Sequence, residues 1–110
     1  MSPLSKLFMF YSFNNVIIGN TIVWKACEKE LPNIMDNELT TRQRECVKCV
    51  FFDGLSQKET AEKLGIAQPT VCRHVSFGAE ILLNRLSYVM KVAKAVADHY
   101  ESEERKWLKN

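Results

Sequence analysis

Three features of the chain predict an all-α fold. Thr40-x-x-Gln43 and Ser56-x-x-Glu59 are capping boxes, in which two side chains three residues apart satisfy free N–H groups at a helix start. Between Gly54 and His74 the chain reads as a short helix, a glycine turn and a second helix. From Leu82 onward, Leu86, Val89, Ala93, Val96 and Tyr100 recur at alternating spacings of four and three, and neither proline nor glycine interrupts Ala79 to Asn110. That is the pattern of one long helix with an apolar seam.

In chain order, the N-terminal elements are the least constrained. Residues 7–13 are rich in Phe and Tyr and admit a strand turned at Asn14-Asn15 onto Val16-Ile17-Ile18. The preferred reading has Asn15 capping a helix from about residue 16 to about 30, ended by Pro32, with the first dozen residues left open. Residues 32–38 read as a linker. A helix over 41–53 follows the first capping box, with Val47, Val50 and Phe51 turned inward.

The next helix, 57–64, starts at the second capping box and ends at Gly65, a residue that reaches positive φ without steric cost. Ala61 and Leu64 share one face of it, and Ile66 is placed to plug the corner. Pro69 suits the first turn of the following helix, where no N–H is required, and it makes Gln68 or Ala67 the cap. Val71, Val75 and Gly78 then face the preceding helices. Gln68, Thr70, Arg73 and His74 are left as polar residues on the other faces. A helical corner whose second helix opens on polar side chains is a helix-turn-helix, the unit that sets its second helix in the DNA major groove. A plain αα-hairpin is the alternative, but packing alone gives no reason for that polar start.

Leu39-Thr-Thr-Arg-Gln-Arg-Glu-Cys46, Gly54-Leu-Ser-Gln-Lys-Glu-Thr-Ala-Glu-Lys-Leu-Gly-Ile66 and Thr70-Val-Cys-Arg-His74 together resemble region 4 of bacterial sigma factors, the part that reads the −35 promoter element. LuxR-type regulators share a similar four-helix unit. The resemblance runs from Leu39 to about Leu86, under half of the chain. It implies a fold of the sigma region 4 type for that stretch; the long C-terminal helix after it and the helical or partly extended N-terminal arm before it are read from the residues themselves. It also implies double-stranded DNA as partner and contact with RNA polymerase. The chain departs from the family pattern at Cys72, where serine is common, and at Ser76 and Phe77, where basic residues that hold phosphates are common. Nothing resembles the region that reads the −10 element, so the chain resembles the free-standing region-4-like proteins found in phages, prophages and mobile elements of Gram-positive bacteria.

Three regions are expected: an arm over 1–38, the DNA-binding domain over 39–85 and a helical extension over 86–110. The 110 residues, 46% hydrophobic and 25% charged, suit one modest core. The net charge is only +2, so bulk attraction to DNA is weak and specific binding calls for two copies or a partner. Within the domain, Gln68, Thr70, Arg73 and His74 are the expected base-reading group. Lys58, Arg42 and Arg44, near helix starts, are the expected phosphate contacts. Leu82, Leu86, Val89, Ala93 and Val96 are the expected seam of a homodimer, with packing inside one chain as the alternative.

Cys46-x-x-Cys49 lies within a helix and lacks a second Cys pair to complete a zinc site. Both residues therefore read as small buried hydrophobes, and neither metal nor cofactor is expected. Only two histidines are present, His74 and His99, without a nucleophile–acid arrangement or a phosphate loop. No enzyme activity is expected. Residues 7–24 are apolar but broken by Ser12, Asn14, Asn15, Gly19, Asn20 and Thr21, which argues against a span or leader and for a cytoplasmic protein. The function this supports is a sequence-specific DNA-binding transcription regulator. The alternatives are a DNA-packaging protein like a phage small terminase subunit, or an adaptor that binds polymerase and not DNA.

Overall fold

The computed structural model describes residues 2–10 and 21–108. Among them every element is helical: α1 (Pro3–Phe10), α2 (Thr21–Glu38), α3 (Thr41–Val47) continuing into a π-turn (Lys48–Phe52), α4 (Gln57–Leu64) and α5 (Gln68–Leu108). The strand considered for residues 7–13 is not formed at 7–10, which are the last turn of α1. The turn at Asn14-Asn15, the Val16-Ile17-Ile18 strand and the Asn15 cap fall outside the described residues.

Pro32 does not end α2, and residues 32–38 are not a linker. The helix continues through Pro32 to Glu38. The reason is tertiary. Val23, Cys27, Leu31, Ile34 and Met35 are all buried on the inner side of α2, whereas Pro32 is exposed. The carbonyl of Glu28, deprived of its partner by the proline, belongs to an exposed residue that water can reach. Burial of the side chains on either side of the proline outweighs one lost hydrogen bond.

The helix expected over 41–53 forms, with a change of pitch that the residues did not announce. After Val47 the hydrogen bonds lengthen to i→i−5, and the Asp53 N–H donates to the Lys48 carbonyl at 2.9 Å. The Leu55 N–H closes the end onto the Cys49 carbonyl at 2.9 Å, around Gly54 at φ 73°. Val47 and Phe51 are buried, Val50 packs partly against the core, and Phe52 is left exposed.

The 41-residue α5 organises the molecule. Along it Val71, Val75, Ala79, Leu82, Leu83, Leu86, Met90, Ala93 and Ala97 are buried. α3 and α4 pack on its first half and α2 on the rest. The Glu38 carboxylate at the end of α2 meets the Arg85 guanidinium at 3.2 Å, so α2 runs back antiparallel along the C-terminal half of α5. α1 fills one flank of that pair against the π-turn, with Phe8 tilted on Trp24 at 6.0 Å between ring centres. α3 crosses α5 at its closest approach at Gly78, where a Cβ would lie 2.7 Å from the Val47 Cγ2. The glycine there is required by contact distance.

Candidate nucleic-acid interface

The two capping boxes that start α3 and α4 are formed. Thr40 Oγ1 accepts from the Gln43 N–H at 3.2 Å, and Gln43 Oε1 accepts from the Thr40 N–H at 3.0 Å. Ser56 Oγ accepts from the Glu59 N–H at 3.0 Å, and Glu59 Oε1 accepts from the Ser56 N–H at 3.1 Å. Buried Thr60 is satisfied by donating to the Ser56 carbonyl at 2.8 Å. α4 ends at Gly65, φ 68°, with the Ile66 N–H bonded back to Ala61 at 3.1 Å. The left-handed turn redirects the chain within three residues. The Ala67 carbonyl then accepts the first bonds of α5, from Thr70 at 3.0 Å and Val71 at 3.1 Å. Ala67, not Gln68, is therefore the cap, and Pro69 stands in the first turn.

This geometry sorts the expected base-reading group. Gln68 and Arg73 are exposed, whereas Thr70 and His74 are half-buried on the flank of α5 next to Val71, Val75 and Gly78. Helical spacing puts Arg73 on an outer face with Pro69, Cys72, Ser76, Phe77 and Glu80; of these only Ser76 is half-buried, the others exposed. Cys72 and Phe77 were not among the sequence candidates, although the i, i+4 relation between Arg73 and Phe77 was visible. Glu80 closes the face with a negative charge, so the part suited to DNA is its first two turns.

The phosphate candidates are also of two kinds. Lys58 is exposed in the first turn of α4. Arg42 is exposed but already holds Glu45 at 3.0 Å, a surface pair of little energetic weight that a phosphate can displace. Arg44 is half-buried, and its Nε is sealed from solvent without a hydrogen-bond acceptor. It is thus the most constrained of the three.

The seam expected to join two copies is mostly spoken for within one chain. Leu82, Leu86 and Ala93 are core residues and Val89 packs partly against that core; of the five, only Val96 is exposed. Met90 and Ala97, outside the expected stripe, are buried with them. A regular four–three stripe drifts around a straight helix by about 20° per seven residues, so by Val96 it has left the face that α2 covers.

Cys27, Cys46 and Cys49 are buried and Cys72 is exposed. Burial pushes the Cys27 thiol up to about 11. The Cys46 thiol is also raised, first by burial, then by Cys49 and Glu45, against the opposing pull of Arg42. For Cys27 the folded pKa lies above the unfolded value, so stability present below pH 9 is lost as pH rises from there toward about 11. A thiol reagent at neutral pH is expected to modify one cysteine per native chain rapidly, and Cys72→Ser to abolish that fast phase. Fast reaction of two or more thiols in folded protein would contradict the burial of the other three.

No helix among the described residues is long and apolar enough to cross a membrane. No curated protein and no solved structure matches the chain. Residues 37–80, which span α3, the π-turn, α4 and the first turns of α5, match the family model of Sigma-70, region 4. With the corner geometry above, that match identifies residues 37–80 as a sigma region 4-like helix-turn-helix, the DNA-binding type of domain.

Proposed function

We propose that the protein is a sequence-specific regulator of transcription that sets the first two turns of α5 into the major groove. The observation that carries this reading is the exposure of Gln68 and Arg73 at the start of a helix held by the Gly65 turn, inside the segment that matches sigma region 4. Glutamine reads adenine and arginine reads guanine through paired hydrogen bonds to base edges in that groove. Lys58 and Arg42 supply phosphate contacts beside it, and Thr70 and His74 brace or supplement the reading face. Selection of bound sequences from a random duplex pool by purified protein tests the proposal. An enriched motif is expected, and a pool that stays random after repeated rounds would refute it.

Lys58→Ala is expected to weaken binding to selected and unrelated duplexes alike, and to lower the slope of log K against log salt by about one. Titrations at several salt concentrations check this. Loss confined to one base position would place Lys58 on a base instead.

Contact with RNA polymerase is a second reading, favoured by exposed Phe77, which stands where related domains carry phosphate-binding residues. Retention of polymerase by the purified protein, lost on Phe77→Ser, is the result that reading requires.

A further inference from the structure

Four large apolar side chains of α5 stand in solvent at every fourth position beyond the part covered by α3: Tyr88 (73% exposed), Val92 (58%), Val96 (45%) and Tyr100 (62%). They are distinct from the buried line through Leu86, Met90, Ala93 and Ala97, and they follow the oblique i, i+4 ridge of the helix. Ridges of this kind lie in the grooves beside the matching ridges of a second helix, with the axes crossing at about −50°, the commonest crossing in globular proteins.

The ends of the ridge carry opposite charges. Arg85 lies one turn before Tyr88 and Glu103 one turn after Tyr100, both on the same side of the helix as the ridge by helical spacing. Each takes part in an exposed pair, Arg85 with Glu38 at 3.2 Å and Glu103 with Lys106 at 3.5 Å; such pairs are weak enough to be shared or exchanged. The whole set is symmetric about Lys94. If a second α5 is laid antiparallel across the first at that point, Val92 meets Val96 of the copy, Tyr88 meets Tyr100, and Arg85 meets Glu103, each pair formed twice.

We propose that this outer ridge, centred between Val92 and Val96, is a two-fold antiparallel docking surface for a second copy of this chain. Its chemistry is self-complementary: two valine contacts at the centre, a tyrosine pair on either side, and an ion pair at each end. A two-fold contact must be complementary to itself under reversal, and this face meets that condition in hydrophobicity and in charge. The surface is small, so the dimer should form in the micromolar range and not persist at nanomolar concentration. The dimer does not depend on the DNA-binding reading, since none of the six residues belongs to the reading face.

Sedimentation of the full chain at about 100 μM is expected to give twice the 12.7 kDa monomer mass. Val92→Glu with Val96→Glu should return it to monomer with unchanged helicity, because both side chains are already in solvent. Glu103→Arg should weaken the dimer about tenfold, and adding Arg85→Glu should restore it. Register is read by cross-linking in a Cys72→Ser background: Val92→Cys with Val96→Cys should oxidise to a covalent dimer, whereas either cysteine alone should not. A monomer at 100 μM overturns the proposal, as does a dimer that survives the glutamate pair. Failure of DNA selection with a dimer present would refute the regulator reading and leave this one standing.

Discussion

Replacing Leu86 by alanine should cost about 2–5 kcal/mol of folding stability, the largest effect of any single truncation considered. Leu86 is completely buried, at the level where α2 joins α5 beside the Glu38–Arg85 pair. Truncation removes apolar surface from the core and leaves a cavity that α2 and α5, both long and stiff, cannot close. For a domain of this size the melting temperature should fall by roughly 10–20 °C. Denaturant unfolding followed by circular dichroism measures it, with exposed Lys91→Ala as a control expected to stay within about 0.5 kcal/mol. A loss below about 1 kcal/mol would mean that the α2–α5 contact is loosely packed.

Arg73→Ala is the second large effect expected, on affinity instead of stability. Arg73 is exposed and makes no ion pair among the described residues, so the fold should tolerate its loss. On the selected site binding should fall by on the order of 1–3 kcal/mol, and discrimination at one base position should relax. The contrast with Lys58→Ala is what identifies the role: a base contact costs specificity, a phosphate contact costs affinity on every sequence. Unchanged affinity of Arg73→Ala for the selected site would move the reading face elsewhere on α5.

The parts of this fold that were legible in the sequence are those whose causes are local. Thr40 with Gln43, Ser56 with Glu59, and Gly65 each complete their hydrogen bonds or their backbone geometry within five residues, and each formed as read. What was illegible had causes distant in the chain. Pro32 looks like a stop until Leu31, Ile34 and Met35 are seen buried around it. The π-turn after Val47 rests on backbone bonding that no side chain marks. On α5 one stripe of apolar residues in the sequence is two faces in space, because a helix of 3.6 residues per turn separates Leu86 from Val96 while a four–three count keeps them together. In the candidate site, residue types pointed to Gln68, Thr70, Arg73 and His74 alike; only burial divides the exposed pair from the half-buried one. Cys72 and Phe77 were passed over because neither is a usual partner for a base or a phosphate.

The unbroken course of α5 ties the two ends of the protein to one rotational phase. Inserting a single residue anywhere between Arg73 and Leu86 would swing everything beyond it by about 100° and advance it by about 1.5 Å. The far half would then turn its polar side to α2, while the near half kept its place in the corner. A loop absorbs such a change; a rod does not. Changes of length are therefore absorbed at the joints between helices and at the distal end of α5, and over the span in between only insertions close to a whole number of turns, of about 7, 11 or 18 residues, come near to restoring register. The same stiffness means that whatever grips the distal end sets the angle at which the proximal end is presented, some tens of ångströms away, with no hinge to forget the instruction.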